Sequence, residues 1–121
     1  MSDPRDDLAM TIPVLASLDL DETIAFYRDR LKFTVQRHGD YLLAKRDAME
    51  IHFWLADDRI HPENTSCYIR GGQIVALYEE FSTAKVPGLT EFTVRPWNMK
   101  EFYIRDPHGN LLRFGAAPEE I

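Results

Sequence analysis

The chain has one cysteine, no long apolar run and a deficit of basic residues, and each shortage excludes something. A lone cysteine, Cys67, rules out an intrachain disulfide and points to a reducing compartment. It lies in a strand-like run, where a buried inert thiol is expected rather than a nucleophile. No stretch approaches the roughly 20 apolar residues that a membrane helix needs. The opening Met1-Ser2-Asp3-Pro4-Arg5-Asp6-Asp7 has neither the basic start nor the apolar stretch of a secretory leader, so a cytoplasmic location is expected. With 14 Lys and Arg against 20 Asp and Glu, the net charge of −6 repels phosphate backbones and argues against a nucleic-acid partner. Acidity of this kind favours encounter with cations. No glycine-rich phosphate loop appears, and no serine or cysteine has a histidine at a recognisable motif spacing.

What is present suits a globular protein: 121 residues, 45% hydrophobic and 28% charged, enough for one domain spanning residues 1–121. The run Ile12-Pro13-Val14-Leu15-Ala16 reads as a strand, with Pro13 tolerable near its start or at an edge. Asp19 then opens a helix, with Glu22 as its capping-box partner. Leu20, Ile24, Tyr27 and Leu31 give that helix one apolar stripe. Strands are expected over Phe33 to Arg37, Tyr41 to Lys45 and Met49 to Leu55, separated by hairpin-like turns at His38-Gly39-Asp40 and Arg46-Asp47. After a polar loop holding Pro62, Glu63 and Asn64 the order restarts. Ser66 to Arg70 is a strand, Ile74, Leu77, Tyr78 and Phe81 mark a second amphipathic helix, and Leu89 to Val94, Phe102 to Arg105 and Leu111 to Phe114 supply three more strands. The two helices share local text, Ala25-Phe26-Tyr27-Arg28-Asp29-Arg30 against Ala76-Leu77-Tyr78-Glu79-Glu80-Phe81. Two βαβββ modules, about 11–56 and 65–115, therefore make an α+β fold with helices on one sheet face.

Such a sheet alternates apolar inward and varied outward. Met49, Ile51, Phe53 and Leu55 belong under a helix, so Glu50, His52 and Trp54 face the other way. Cys67 and Ile69 likewise turn Tyr68 outward, and Leu112 and Phe114 turn Arg113 outward. The open face is expected to gather Trp54, Tyr68, His52, Glu50 and Arg113. The competing reading makes it plain solvated surface or a dimer seam; a Trp and a Tyr beside polar groups favour a binding surface. Trp97 sits in a loop after Arg95-Pro96, either as a functional residue or as the cap of a core edge. His38, His61 and His108 lie in turns or loops without ligand spacing and are expected at the surface. Glu50 and His52 share a strand face, which leaves acid–base chemistry conceivable, although ligand hydrogen bonding is the simpler role.

Asp19-Leu20-Asp21-Glu22-Thr23-Ile24-Ala25-Phe26-Tyr27 and Asp106-Pro107-His108-Gly109-Asn110-Leu111 resemble segments of the vicinal-oxygen-chelate superfamily of glyoxalases, extradiol dioxygenases and antibiotic-resistance proteins. The second is also sound hairpin chemistry, since proline presets one dihedral and glycine accepts a positive one. Within the superfamily the chain is most similar to the bleomycin-resistance proteins, through Pro13-Val14-Leu15, Pro62-Glu63-Asn64-Thr65 and Pro96-Trp97 ahead of Glu101-Phe102. The similarity runs from about residue 12 to residue 115. It implies a glyoxalase/bleomycin-resistance-like fold and a homodimer with exchanged N-terminal strands, whose clefts stack planar drug rings on aromatics. By the same resemblance Trp97 matches the stacking tryptophan, Tyr41 a cleft phenylalanine and Tyr68 a cleft tryptophan. Lys32 stands where the family usually has glycine, and Gly71-Gly72 is a second departure.

Enzymes of the superfamily hold a divalent ion at positions that fall here on Ile12, Glu50 or His52, Ser66 and Arg113. A divalent site needs three or four good donors, so neither metal nor other cofactor is expected. The leading expectation is a metal-free protein that sequesters a bulky aromatic or cationic molecule such as bleomycin. Trp97, Tyr68, Tyr41 and Trp54 would form its aromatic surface, with His52, Glu50 and Arg113 as polar contacts. Asp57, Asp58 and Glu63 would attract a cationic tail. Two rivals stand beside it: a glyoxalase-like or thiol-transferring enzyme of the same fold, and a binding module for another hydrophobic natural product.

Overall fold

The computed structural model describes residues 3–121. In the first half, β1 (Val14–Ser17), α1 (Leu20–Ala25), β2 (Thr34–His38), β3 (Tyr41–Arg46) and β4 (Met49–Leu55) follow one another. In the second, β5 (Ser66–Arg70), α3 (Ile74–Thr83), β6 (Thr93–Val94), β7 (Lys100–Arg105) and β8 (Leu111–Ala116) repeat the order, after the single-turn α2 (Ile60–Glu63). Two four-stranded sheets result, ordered β1-β4-β3-β2 and β5-β8-β7-β6. In each, the strand before the helix pairs parallel with the last strand, and the other pairs are antiparallel. The α+β, duplicated arrangement matches the expectation.

Local chemistry explains the elements. Asp19 caps α1 by accepting from the Glu22 amide at 3.1 Å, but the capping box is only half formed. The Glu22 carboxylate lies 3.0 Å from His108 Nε2 instead of reaching back to Asp19. The helix widens into a π-helical turn at Phe26–Arg30 and is left through Lys32 at φ +63°. A left-handed lysine costs about 1 kcal/mol against glycine. Tyr27 and Leu31 from this helix, Ile51 and Phe53 from β4, and Ile74, Leu77 and Phe81 from α3 enter one core with Phe102, Leu112 and Phe114. Phe102 and Phe114 stack 4.6 Å apart. Cys67 is buried there, and burial pushes its thiol up to about 11, which keeps it an unreactive thiol at neutral pH.

Four local expectations need correction. Leu55 is 41% exposed rather than inward, because it ends β4 and Ala56 takes the buried place behind it, its amide on the Ser17 carbonyl at 2.8 Å. The strand expected over 89–94 shrinks to Thr93–Val94. Thr90 explains this: its hydroxyl takes the Tyr103 amide at 2.8 Å, replacing a ladder bond by a side-chain one. β1 starts at Val14, with the Pro13 carbonyl accepting from His52 just outside it. His108 is no surface residue; its side chain is 7% exposed.

The β7–β8 turn is what ties the halves together. Asp106, buried, accepts from the Tyr27 hydroxyl at 2.8 Å, from Asn110 Nδ2 at 2.8 Å, and from the amides of His108, Gly109 and Asn110 at 3.0 Å each. Gly109 takes φ +112°, where a side chain would be strained and would meet Glu63 at 3.0 Å. The Asn110 amide then reaches the other sheet, donating to the Ala16 carbonyl at 2.7 Å and accepting from the Ala16 amide at 3.3 Å. An edge strand of the first sheet is thereby covered by a turn of the second.

Candidate functional site

Two polar-aromatic clusters occupy the faces of the sheets turned away from the core, one per sheet. On the first sheet, register places Tyr41 opposite Trp54 and Leu43 opposite His52. The His52 ring bridges two neighbours, Tyr41 Oη at 3.0 Å from Nδ1 and Glu50 Oε2 at 2.7 Å from Nε2. The His52 contact holds the Glu50 carboxyl below the usual carboxylate range, against the opposing effect of burial, so it is an ionised acceptor. In the neutral imidazole Nε2–H therefore donates to Glu50, and Nδ1 accepts from the Tyr41 hydroxyl. Trp54, part-exposed, packs edge-on against His61 at 5.0 Å.

On the second sheet the organising residue is Glu101, only 1% exposed. Its Oε2 accepts from the Tyr68 hydroxyl at 2.9 Å and the Trp97 indole N–H at 3.2 Å. Its Oε1 accepts from the Tyr103 hydroxyl at 2.7 Å and lies 3.7 Å from the Arg113 guanidinium. Burial pushes this carboxyl up, but donors from Tyr103, Trp97 and Tyr68 and the charge of Arg113 prevail and hold it below its ordinary range. Burial and the neighbouring Glu101 raise the hydroxyls of Tyr68 and Tyr103, so both remain donors through neutral pH. One carboxylate thus anchors three rings, two of which are well exposed: Trp97 is 55% and Tyr68 44% exposed.

Gly115 makes the Tyr68 contact possible. It sits beside Glu101 and Arg70 in the register, and a Cβ there would come 2.5 Å from the Tyr68 hydroxyl. Gly115→Ala is expected to swing Tyr68 off Glu101 and cost about 1 kcal/mol, the usual worth of one such bond. Carbon NMR of labelled tyrosine should then show Tyr68 ionising closer to the ordinary tyrosine range; an unchanged titration would contradict this geometry.

The expected site residues are thus brought together in two sets, not one. Tyr41, His52 and Glu50 form the first with Trp54 beside them, and Tyr68, Trp97 and Arg113 form the second. No hydrogen bond, ion pair or ring contact joins the sets among the described residues. Glu50 and Tyr68 do line a common cleft of about 260 Å³ between the sheets, with Met10, Ile74 and Leu77. Asp58 stands apart; its carboxylate accepts from the Ile60 amide at 2.9 Å, and Glu63 pairs with Arg59 at 2.9 Å. Sequence reasoning missed Glu101, Tyr103 and Arg95. The signal for the first two is alternation along β7, where Phe102 and Ile104 turn inward.

The donor set does not fit a divalent ion. Ile12 carries no donor atom. Ser66 faces Leu111 across the strands, and it is Tyr68, not Ser66, that stands opposite Arg113. Arg113 brings a positive charge, while Glu50 and His52 engage each other. Among the described residues, no three of His, Cys, Asp and Glu come together as a metal site.

A duplicated βαβββ fold whose sheets carry outward rings defines a class, and the chain belongs to it: the glyoxalase/bleomycin resistance protein/dioxygenase superfamily, whose family model matches residues 11–114. A bleomycin resistance protein of Geobacillus stearothermophilus is 26% identical over 127 residues, covering 88% of this chain and 96% of the relative. Among solved structures, a bleomycin resistance determinant encoded on transposon Tn5 superposes with a TM-score of 0.80 at 23% identity, covering 92% of this chain and 99% of that one. A bleomycin-binding protein from bleomycin-producing Streptomyces verticillus, complexed with copper(II)-bleomycin, gives 0.79 at 27% identity, covering 92% and 98%.

Proposed function

We propose that this protein binds a bleomycin-type drug and protects by holding it, without transforming it. The observation that carries the reading is the ring wall of Trp97, Tyr68 and Tyr103, fixed by one buried carboxylate, with Trp97 and Tyr68 exposed. Offset stacking on such rings is worth about 0.5–1.5 kcal/mol per pair beyond the area buried, and rings already held in place lose less entropy on binding. The bleomycin resistance protein of Geobacillus stearothermophilus and the Streptomyces verticillus complex support the choice of ligand. Tyr41, His52, Glu50 and Trp54 supply the opposing wall, with Arg113 as a polar contact. Asp58, in the loop after β4, draws in a cationic tail.

The working form is a cytoplasmic homodimer of one-domain chains, with N-terminal strands exchanged and the first-sheet wall of one subunit facing the second-sheet wall of the other. Leu8, Met10 and Val14, exposed in the single chain, support this, because an apolar segment in water calls for a cover. Adding bleomycin is expected to quench tryptophan emission saturably, with micromolar or tighter affinity. No change at millimolar drug would end the assignment.

The Tyr41–His52–Glu50 chain favours a second reading, metal-free acid–base chemistry, since a carboxylate-oriented imidazole is how a general base is built. Mass spectrometry of the recovered drug separates the two: an unchanged mass fits sequestration, and a changed one fits catalysis.

A further inference from the structure

The outer strands of the two sheets are treated differently. β1 is covered by the Asn110 turn, and β5 borders the cleft between the sheets. β6, the far edge of the second sheet, is cut to Thr93–Val94. Its counterpart β2 keeps five residues, Thr34–His38, without a proline or a partner strand on its outer side among the described residues. Four of those five are exposed. An edge of this length is a template for another strand. Charge marks the same edge. Residues 28–47 hold six Lys and Arg against three Asp, while the rest of the chain holds eight against 17 Asp and Glu. Thr34 and Gln36 stand opposite Lys45 and Leu43 of β3, and these four line a groove of about 440 Å³ with Lys32. Asp47, the acidic residue of that groove, is engaged by Gln73 Nε2 at 2.6 Å. Lys32 is the anomaly. It is exposed, has no ion pair among the described residues, and holds φ +63°, a conformation that favours glycine. Strain kept at an exposed position without a local partner points to function.

We infer that the β2 edge docks an extended acidic segment of a partner protein, which adds to the first sheet as a further strand. Its carboxylates meet the ammonium groups of Lys32 and Lys45. Main-chain hydrogen bonds to β2 supply affinity, and alternate side chains dropping into the groove supply selectivity. The acidic remainder of the chain repels such a segment, so the basic patch decides where it lands. Lys45 lies 3.4 Å from Glu50, but its side chain is 62% exposed and a pair of that kind holds it weakly. The acidic segment lies along the outside of β2, away from the rings of Trp97 and Tyr68.

This inference goes beyond the proposed drug and is tested without it, on the full chain. The probe is a fluorescein-labelled hexapeptide alternating Glu with Thr or Val. Its anisotropy should saturate below millimolar protein, and the same peptide with Lys for Glu should bind about tenfold more weakly or worse. Methylating one alternate set of the peptide's backbone amides should weaken it about tenfold and methylating the other set far less, because only one side of an added strand faces β2. Lys32→Gly should weaken the peptide about fivefold yet raise the melting temperature by a few degrees, since it removes charge and strain together. Thr34→Glu should weaken it with the melt unchanged. Amide NMR shifts on adding peptide should centre on Thr34–His38. Equal loss from either methylated set, tighter binding of a single-stranded oligonucleotide of equal charge, or no binding at millimolar protein overturns the inference. So does a dimer that dissociates on Thr34→Glu, because the edge would then be a seam between copies of the chain. The bleomycin titration stands or falls separately.

Discussion

Asp106→Ala is expected to cost about 3–5 kcal/mol of folding stability, the range for removing one partner from a buried charged network. Five donors converge on this carboxylate, two from the side chains of Tyr27 and Asn110 and three from backbone amides. Alanine leaves every one without its acceptor, and the Tyr27 hydroxyl has no water to turn to, being wholly buried. Burial first, and Asp106 second, already push that hydroxyl well above its ordinary range, so it stays a donor at any pH where the protein folds. Asp106→Asn keeps the shape and one acceptor oxygen and should lose about half as much. Urea unfolding measures both. A loss under about 1 kcal/mol for alanine would mean that the network is not a structural tie.

Glu101→Gln is expected to weaken bleomycin by roughly ten- to a hundredfold while costing about 2 kcal/mol of stability. The amide keeps one acceptor where three neutral donors and Arg113 converge, and its NH2 faces donors it cannot satisfy. The rings then lose their common anchor. Tyr68 and Trp97 have access to water, which is why the stability cost is smaller than for Asp106. A calorimetric titration and a melt read the two effects. Unchanged drug affinity would show that the wall does not need its carboxylate. The pH dependence follows from direction alone. Because folding lowers the Glu101 pKa, its contribution is complete above the ordinary carboxylate range and lost as pH falls through the lowered value. Tyr68 and Tyr103 are raised, so their contribution is complete below the ordinary tyrosine range and lost only as pH climbs through the raised values. The wall is intact across the neutral range.

Alternation and helical spacing are geometric, and what rests on them was readable in the chain. Ile51 and Phe53 inward with Glu50 and His52 outward, Leu112 and Phe114 inward with Arg113 outward, and the stripes of both helices need only periods of two and 3.6. The partition of the outward residues between two sheets was not readable. Strand alternation says which face a residue takes but not which sheet it shares, and the order β1-β4-β3-β2 beside β5-β8-β7-β6 keeps His52 and Tyr68 apart. His108 shows the same limit. Its turn looks exposed locally, yet its Nδ1 accepts from the Leu18 amide at 3.2 Å, a residue 90 positions earlier. Glu101 was hidden differently. A glutamate in a strand reads as a solvated residue, and only the rings above it and the bare Gly115 beside it make it an interior one.

Housing the Tyr41–His52–Glu50 hydrogen-bond chain on one sheet and the ring wall on the other leaves the two free to diverge. Residues without shared partners contribute nearly additively to folding, so a descendant of this gene can exchange rings on one surface without unsettling the packing of the other. Such a scaffold can be altered one wall at a time, each change tolerable to the fold on its own.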